Sequence, residues 1–359
     1  MPAAASKHHD GGPPLVFITG ATGHIGFRIL VHSLEAGYRV RIASRTLTSA
    51  KRLATLPSIK PYADIKTTDG DPIVSFTEIP DFLVPTAFDM ALQDVTYVIH
   101  AASPLPDFTL TSFDLDADYL NPAKDGTLNL LHAATKHPSI KRVVITSSVG
   151  VLTRPVPPAL ATKIIGPDDT ATVPSRDAMA THSGRAYNGS KILALLAVDE
   201  FVATHHQSLG FDVAHILPSY VQGRNEAATS LKDLAGKTSN ANIVRFVLGQ
   251  KSQVPDFTDL VHVDDVAAAH VNALAAELSQ SKGKGEVEKI VRKRFADEVE
   301  RGVLPLGGSA NVVTVGEMGH DVGLTEDVLG LKGRWKGLEE MVVSLVGQVV
   351  EFVEKGERL

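Results

Sequence analysis

The chain has 359 residues, enough for one large α/β unit or about two average domains, and its 43% hydrophobic and 21% charged content excludes a disordered or charge-dominated chain. With 35 lysines and arginines against 41 aspartates and glutamates, the net charge is −6, so binding to nucleic acid by phosphate neutralisation is not expected. The chain has no cysteine, which excludes disulfide scaffolds, cysteine-ligated zinc, iron–sulfur clusters and thiol nucleophiles.

Residues 1–14 are small, polar and rich in glycine and proline; they predict a disordered tail without the apolar stretch of a secretory leader. Leu15–Thr19 reads as a buried strand, His24–Glu35 as a helix and Arg39–Ser44 as a second strand. Between the first two lies Gly20-Ala21-Thr22-Gly23-His24-Ile25-Gly26, a G-x-x-G-x-x-G spacing. Glycines there permit a tight turn, close approach of a diphosphate to the backbone and close helix–sheet packing. The diphosphate would sit at the positive end of the helix opened by His24 and Ile25. His24 itself is expected at the surface.

The end of the second strand selects the cofactor. A carboxylate there would accept hydrogen bonds from a ribose and repel a 2′-phosphate. This chain has Ser44-Arg45 instead, followed by Lys51 and Arg52. Arg45, assisted by Lys51, is expected to bind the 2′-phosphate of NADPH.

Further strands are predicted over 95–100, 143–146 and 213–217, and helices over 114–136 and 187–206. This alternation predicts an α/β fold with a doubly wound parallel sheet. Ser147 and Ser148 close the strand at 143–146, where side chains face the ligand crevice of such a sheet. Tyr187 and Lys191 stand at i and i+4, on one face of a helix. The ammonium is expected to lower the phenol pKa, and the phenol can then exchange a proton with a carbonyl oxygen. Asp264 follows a strand and opens a helix, so it reads as an N-cap. Beyond about residue 219 the alternation loosens into a smaller lobe. It holds a charged stretch at 280–302, a glycine-rich stretch at 303–330 and an amphipathic helix over 341–353. No apolar run reaches membrane-spanning length. The histidines show no paired spacing with a carboxylate, so no metal site is expected.

Eight motifs now stand in order: VFITGATGHIG (16–26), RIASR (41–45), VIHAASP (98–104), NPAKDGTLNLL (121–131), RVVITSSVG (142–150), YNGSK (187–191), ILPSYVQG (216–223) and VHVDDVAAAH (261–270). Together they resemble the extended short-chain dehydrogenase/reductases. The likeness is nearest to the dihydroflavonol reductase and cinnamoyl-CoA reductase group and the fungal NADPH-dependent aldehyde and ketone reductases. The resemblance implies one extended Rossmann-type domain over 15–359. Within it, 15–218 would be mainly the cofactor-binding core, and 219–359 would supply most of a smaller C-terminal substrate lobe.

The resemblance implies a catalytic Ser148, Tyr187 and Lys191, with Ser147 as the alternative serine. It implies that Gly20, Thr22, Gly23, His24, Ile25 and Gly26 form the phosphate loop and that Asp81 contacts the adenine. Ala101, Ala102 and Ser103 would line the nicotinamide half, and Pro218, Ser219 and Val221 would fold over it. Plant members carry a tryptophan between the serine and tyrosine motifs; here the only tryptophan is Trp335. A flavonoid or lignin-precursor substrate is therefore not expected. The pocket is expected from 151–186, Tyr220, Gln222 and 224–257. The implied activity is NADPH-dependent reduction of a small aldehyde or ketone by a cytoplasmic monomer or homodimer. Alternatives are a hydroxysteroid dehydrogenase, a sugar-nucleotide epimerase or dehydratase, and a non-catalytic NADPH-binding regulator.

Overall fold

A computed structural model of the chain describes residues 12–107, 112–152, 170–236, 238–248, 260–276, 326, 329–331 and 333–357. Most of the expected tail, the charged stretch at 280–302 and nearly all of the glycine-rich stretch lie outside the described residues.

Six strands form one parallel sheet: β1 (Leu15–Thr19), β2 (Arg39–Ser44), β3 (Val74–Glu78), β4 (Tyr97–His100), β5 (Arg142–Thr146) and β6 (Asp212–Ile216). Their order is β3-β2-β1-β4-β5-β6. The winding reverses between β1 and β4, which opens a crevice at the carboxyl ends of those strands. Every residue of β1 and β5 is buried, as a parallel strand covered on both faces requires.

Side-chain alternation divides the core in two. Val16, Ile18, Val40 and Ile42 face the layer built by α1 (His24–Glu35) and α8 (Val263–Ala275). Phe17, Val98, Val143 and Ile145 face α3 (Asn121–Ala134) and α5 (Ser183–His205). A π-helical turn, Asp116–Leu120, leads into α3. α2 (Leu47–Leu53) follows β2, and the short α4 (Arg176–Ala180) precedes α5.

After β6, two short strands pair in parallel, β7 (Tyr220–Gln222) and β8 (Leu260–His262). Beside them, α6 (Leu231–Leu234), α7 (Ala241–Val247) and α9 (Leu338–Glu354) enclose a small core that includes Leu231, Leu234, Val244, Leu345, Val349 and Phe352. The side-chain amide of Gln348 ties α9 back to the chain after β7. Its Oε1 accepts from Asn225 N at 2.8 Å, and its Nε2 donates to Asn225 O at 2.7 Å.

Buried charge locks the layers together. Arg142, at the head of β5, donates through Nη1 to the carbonyls of Ala273 and Ala276, each at 2.6 Å. Its Nη2 meets Asp212 Oδ2 at 3.0 Å. The guanidinium thus satisfies orphan carbonyls at the negative end of α8. Asp264 joins Arg28 of α1 to Lys336, whose Nζ lies 2.7 Å from Oδ2. Asp264 is therefore not the N-cap expected from sequence. The cap is His262, two residues earlier, whose Nδ1 accepts from Asp264 N at 3.0 Å.

Candidate active site

The phosphate loop is shaped by what two of its glycines exclude. Gly20 ends β1 at φ 76°, in the left-handed region, and a Cβ there would lie 2.6 Å from Ala102 N. The turn is therefore pressed against the backbone that leaves β4. Gly26 sits in the first turn of α1, where a Cβ would overlap the Gly20 carbonyl. Gly23 closes the turn by donating to Gly20 O at 2.9 Å and stands at the N-cap with no side-chain cap. Thr22 and Gly23 are exposed. The result is an open, uncapped helix N-terminus behind a side-chain-free turn, which fits a dinucleotide diphosphate.

The reacting groups lie across the crevice, where β5 ends. Ser147 N donates to Ile216 O at 2.8 Å, and Val149 N donates to Pro218 O at 3.1 Å. These bonds fasten the serine turn to β6 and to the loop after it. Ser148 caps the turn that follows, its Oγ accepting from Gly150 N at 3.0 Å. The Tyr187 phenol lies close enough to the Ser148 side chain for the serine to act on its pKa. One turn along α5, Lys191 is buried; its Nζ donates to Thr146 O at 2.9 Å and stands 6.0 Å from the Tyr187 ring centre.

Two close approaches hold α5 in this position. A Cβ at Gly150 would lie 2.7 Å from Asn188 Oδ1, and one at Gly189 would overlap Met179 of α4. Beside Lys191 lies a partly open cavity of about 20 Å³, lined in part by Ser147, His100, Thr127 and His215 and reaching Ala102 and Ser103. Ser148 therefore faces the phenol, while Ser147 faces inward to this cavity.

Known proteins fit this geometry. The model of the NAD dependent epimerase/dehydratase family matches residues 16–287. The chain belongs to this family. It is an NAD(P)-dependent oxidoreductase of the extended short-chain dehydrogenase/reductase type. It is 35% identical to an NAD-dependent epimerase/dehydratase of Alternaria alternata, over 96% of this chain and 99% of that one. It is 33% identical to a ketoreductase of Cercospora nicotianae, over 96% and 97%. Among solved structures, the yeast methylglyoxal/isovaleraldehyde reductase complexed with NADPH superposes with a TM-score of 0.69 at 24% identity, over 95% of this chain and 99% of that one. Alfalfa vestitone reductase gives 0.62 at 23%, with the same coverage.

The remaining expected residues of this family member divide into three groups. Arg45 is exposed just beyond the carboxyl end of β2, and Lys51 is exposed on α2. Ala101, Ala102 and Ser103 leave β4 beside Gly20, and Pro218 and Ser219 cross over the serine turn, all half-buried. The others are engaged within the chain itself. Val221 is buried in an apolar cluster with Val263 and Val266, because β7 pairs with β8. Asp81 is exposed, and its Oδ1 accepts from Leu83 N at 2.8 Å in a local turn. Gln222 is buried and donates to Ser239 O at 2.7 Å, and the indole of Trp335 donates to Glu326 Oε1 at 2.6 Å.

Two expectations are corrected. His24 is not a surface residue. It is 8% exposed, and burial pushes its pKa down to about 4, so the imidazole is neutral and turned inward. Tyr187 is not acidified. Burial raises its pKa, the nearby Ser148 opposes this, and Tyr220 adds to the rise. The buried Lys191 has its own pKa lowered to about 8.

Sequence reasoning also missed three neighbours of the site. The Thr146 carbonyl, which takes the lysine proton donor, is backbone and leaves no sequence signal. Asn188 against Gly150 is a contact between segments far apart in the chain. His215 was readable in part: alternation along β6 puts it on the face of Val213, toward α5. Among the described residues, no group of three histidines or carboxylates is placed to hold a metal.

Proposed function

We propose that the protein is an NADPH-dependent carbonyl reductase acting on a small aldehyde or ketone. The observation that carries this reading is the Tyr187 phenol placed next to Ser148 where β5 ends, with the Lys191 Nζ 6.0 Å from its ring centre. When bound, NADPH supplies the hydride. The glycine cradle and the start of α1 would hold the diphosphate, and Arg45 with Lys51 would hold the 2′-phosphate.

Ser148 offers its hydroxyl to the substrate oxygen and fixes its direction. Tyr187 then gives its proton to that oxygen as negative charge develops there. A phenol held above its ordinary pKa stays protonated at neutral pH, which is the form that reduction requires. Lys191 is anchored by Thr146 O, and an N–H group left over from that bond would serve the phenol and the cofactor ribose. The printed names of the relatives, a ketoreductase and a methylglyoxal/isovaleraldehyde reductase, support the same reading. A sugar-nucleotide epimerase or dehydratase would favour an acidic residue where Arg45 stands.

The test is NADPH oxidation against aliphatic, aromatic and 1,2-dicarbonyl substrates, with NADH in parallel. We expect turnover with NADPH, and a loss of about 10²- to 10⁴-fold in kcat for Tyr187→Phe. Wild-type rates in Tyr187→Phe, or tight NAD binding with NADPH excluded, would overturn the proposal.

A further inference from the structure

Among the side chains around Lys191, one imidazole is left without a hydrogen-bond partner. His215, on β6, has both ring nitrogens buried and without a hydrogen-bond partner. A neutral imidazole carries one donor and one acceptor, and buried polar atoms of this kind are almost always satisfied. Two other buried imidazoles show how the rule is met. His100 meets Thr19 Oγ1 at 2.8 Å and Thr127 Oγ1 at 3.2 Å, and His270 meets Thr146 Oγ1 at 2.7 Å.

His215 lines the 20 Å³ cavity that Lys191 and Ser147 also line, and unlike His100 it brings unpaired nitrogens to it. One buried water needs roughly 10–15 Å³ by this measure, together with two to four polar partners. His215, Lys191 and Ser147 supply three. His100 also borders the cavity, but both of its nitrogens are already engaged.

We propose that this cavity holds a single buried water bridging His215 to the Lys191 ammonium, which makes His215 a positioning residue for the catalytic lysine. The inference rests on Tyr187 and Lys191 acting as the catalytic pair. Lys191 donates one N–H to Thr146 O. The water takes a second and passes a hydrogen bond to the imidazole, so the third is left to point toward the phenol and cofactor side. No proton need leave any of these groups. The titratable groups facing the ammonium are Tyr187 on its own helix, His100 on β4 and His215 on β6, with Tyr220 beyond the phenol. Burial, reinforced by the lysine charge, keeps both imidazoles neutral at working pH, with pKa values of about 3 for His100 and about 4 for His215.

The experiment compares pH profiles of carbonyl reduction for the wild type, His215→Leu and two polar variants, His215→Asn and His215→Gln. His215→Leu removes the acceptor and the water with it. The ammonium then loses a partner that favours its charged form, so the alkaline limb of kcat should move to lower pH. A fall of roughly tenfold in kcat should accompany this, with KM for the carbonyl little changed. At least one polar variant should restore the limb.

A uniform loss at every pH, or an unmoved limb in His215→Leu, would overturn the proposal. If Tyr187→Phe keeps full activity, the catalytic reading has failed instead, which is a different result. Should His215→Leu not fold, the wild-type crystal structure decides. Water density within hydrogen-bond distance of both His215 and Lys191 supports the bridge, and a dry cavity refutes it.

Discussion

Gly26→Ala perturbs fold and function at a single atom. The added methyl would overlap the Gly20 carbonyl oxygen, sit 2.6 Å from its carbon and reach 3.0 Å from Ala21 N. All three are backbone atoms, and carbon–carbon contacts normally begin near 3.4–4 Å. Roughly 1 Å of movement is therefore required, and no side chain can absorb it. Either α1 lifts off β1, or the Gly20–Gly23 turn opens.

Overpacking of this kind costs about 1–3 kcal/mol, and opening the turn spends it where the diphosphate must approach. If the whole cost fell on binding, Kd for NADPH would rise about 5- to 150-fold; if it fell on packing, Tm would drop by several degrees. Fluorescence titration with NADPH and a thermal melt on the same sample separate the two. Gly210→Ala, which meets no atom within 4 Å, is the control and should leave both unchanged. A Gly26→Ala protein with wild-type Kd and wild-type Tm would refute the steric account of the cradle.

Three further outcomes follow from the same contacts. Arg45→Asp should weaken NADPH by about 10- to 100-fold and narrow its advantage over NADH, read as the ratio of kcat/KM for the two cofactors; an unchanged ratio would move the 2′-phosphate elsewhere. Burial alone would raise the pKa of Asp264, but the nearby His32 and the hydrogen bonds from Arg28 and Lys336 outweigh this and hold it well below the carboxylate range. Its contribution is present above the ordinary carboxylate pKa and lost as pH falls, so Asp264→Asn should be less stable in urea near pH 7 and approach the wild type in acid. His24, His100 and His270 have folded pKa values of about 4, 3 and 4, below the ordinary 6.5. The unfolded chain therefore takes up protons first, and stability should fall as pH drops from about 6.5 toward 4, less steeply in His270→Gln; identical slopes would show that this imidazole is charged or exposed when folded.

The parts of the fold that could be read from sequence are those buried on both sides. β1 has the expected bounds because a doubly covered strand is an apolar run, and β2 has them because Val40 and Ile42 alternate with Arg39 and Arg41. β3 escaped detection: it is an edge strand, VSFTE, with one fully buried residue, and an edge needs no such run. α5 begins at Ser183, four residues before the expected start, and α8 begins one residue before the expected cap. Both discrepancies have the same origin. Each helix is capped by an imidazole, with His182 Nδ1 accepting from Gly184 N at 3.1 Å and His262 Nδ1 accepting from Asp264 N. Cap signals are normally sought in hydroxyl, amide and carboxylate oxygens, so a histidine cap passes unread.

The candidate site shows the same division between pattern and environment. Spacing alone places Ser148, Tyr187 and Lys191 near one another, because i and i+4 share a helix face and the serine ends a parallel strand. Spacing does not say which charged form each group prefers. The expected fall in the Tyr187 pKa assumed that the ammonium faces the phenolate with little between them and little burial around them. In the structure Lys191 spends a proton donor on the Thr146 carbonyl and stands 6.0 Å from the ring centre, while burial and Tyr220 act on the phenol in the opposite sense. Desolvation depends on what the sheet and α3 bring together from distant parts of the chain, and a five-residue motif contains none of it. The direction of that error matters for chemistry. A phenol kept protonated is the form that can donate a proton to a carbonyl oxygen.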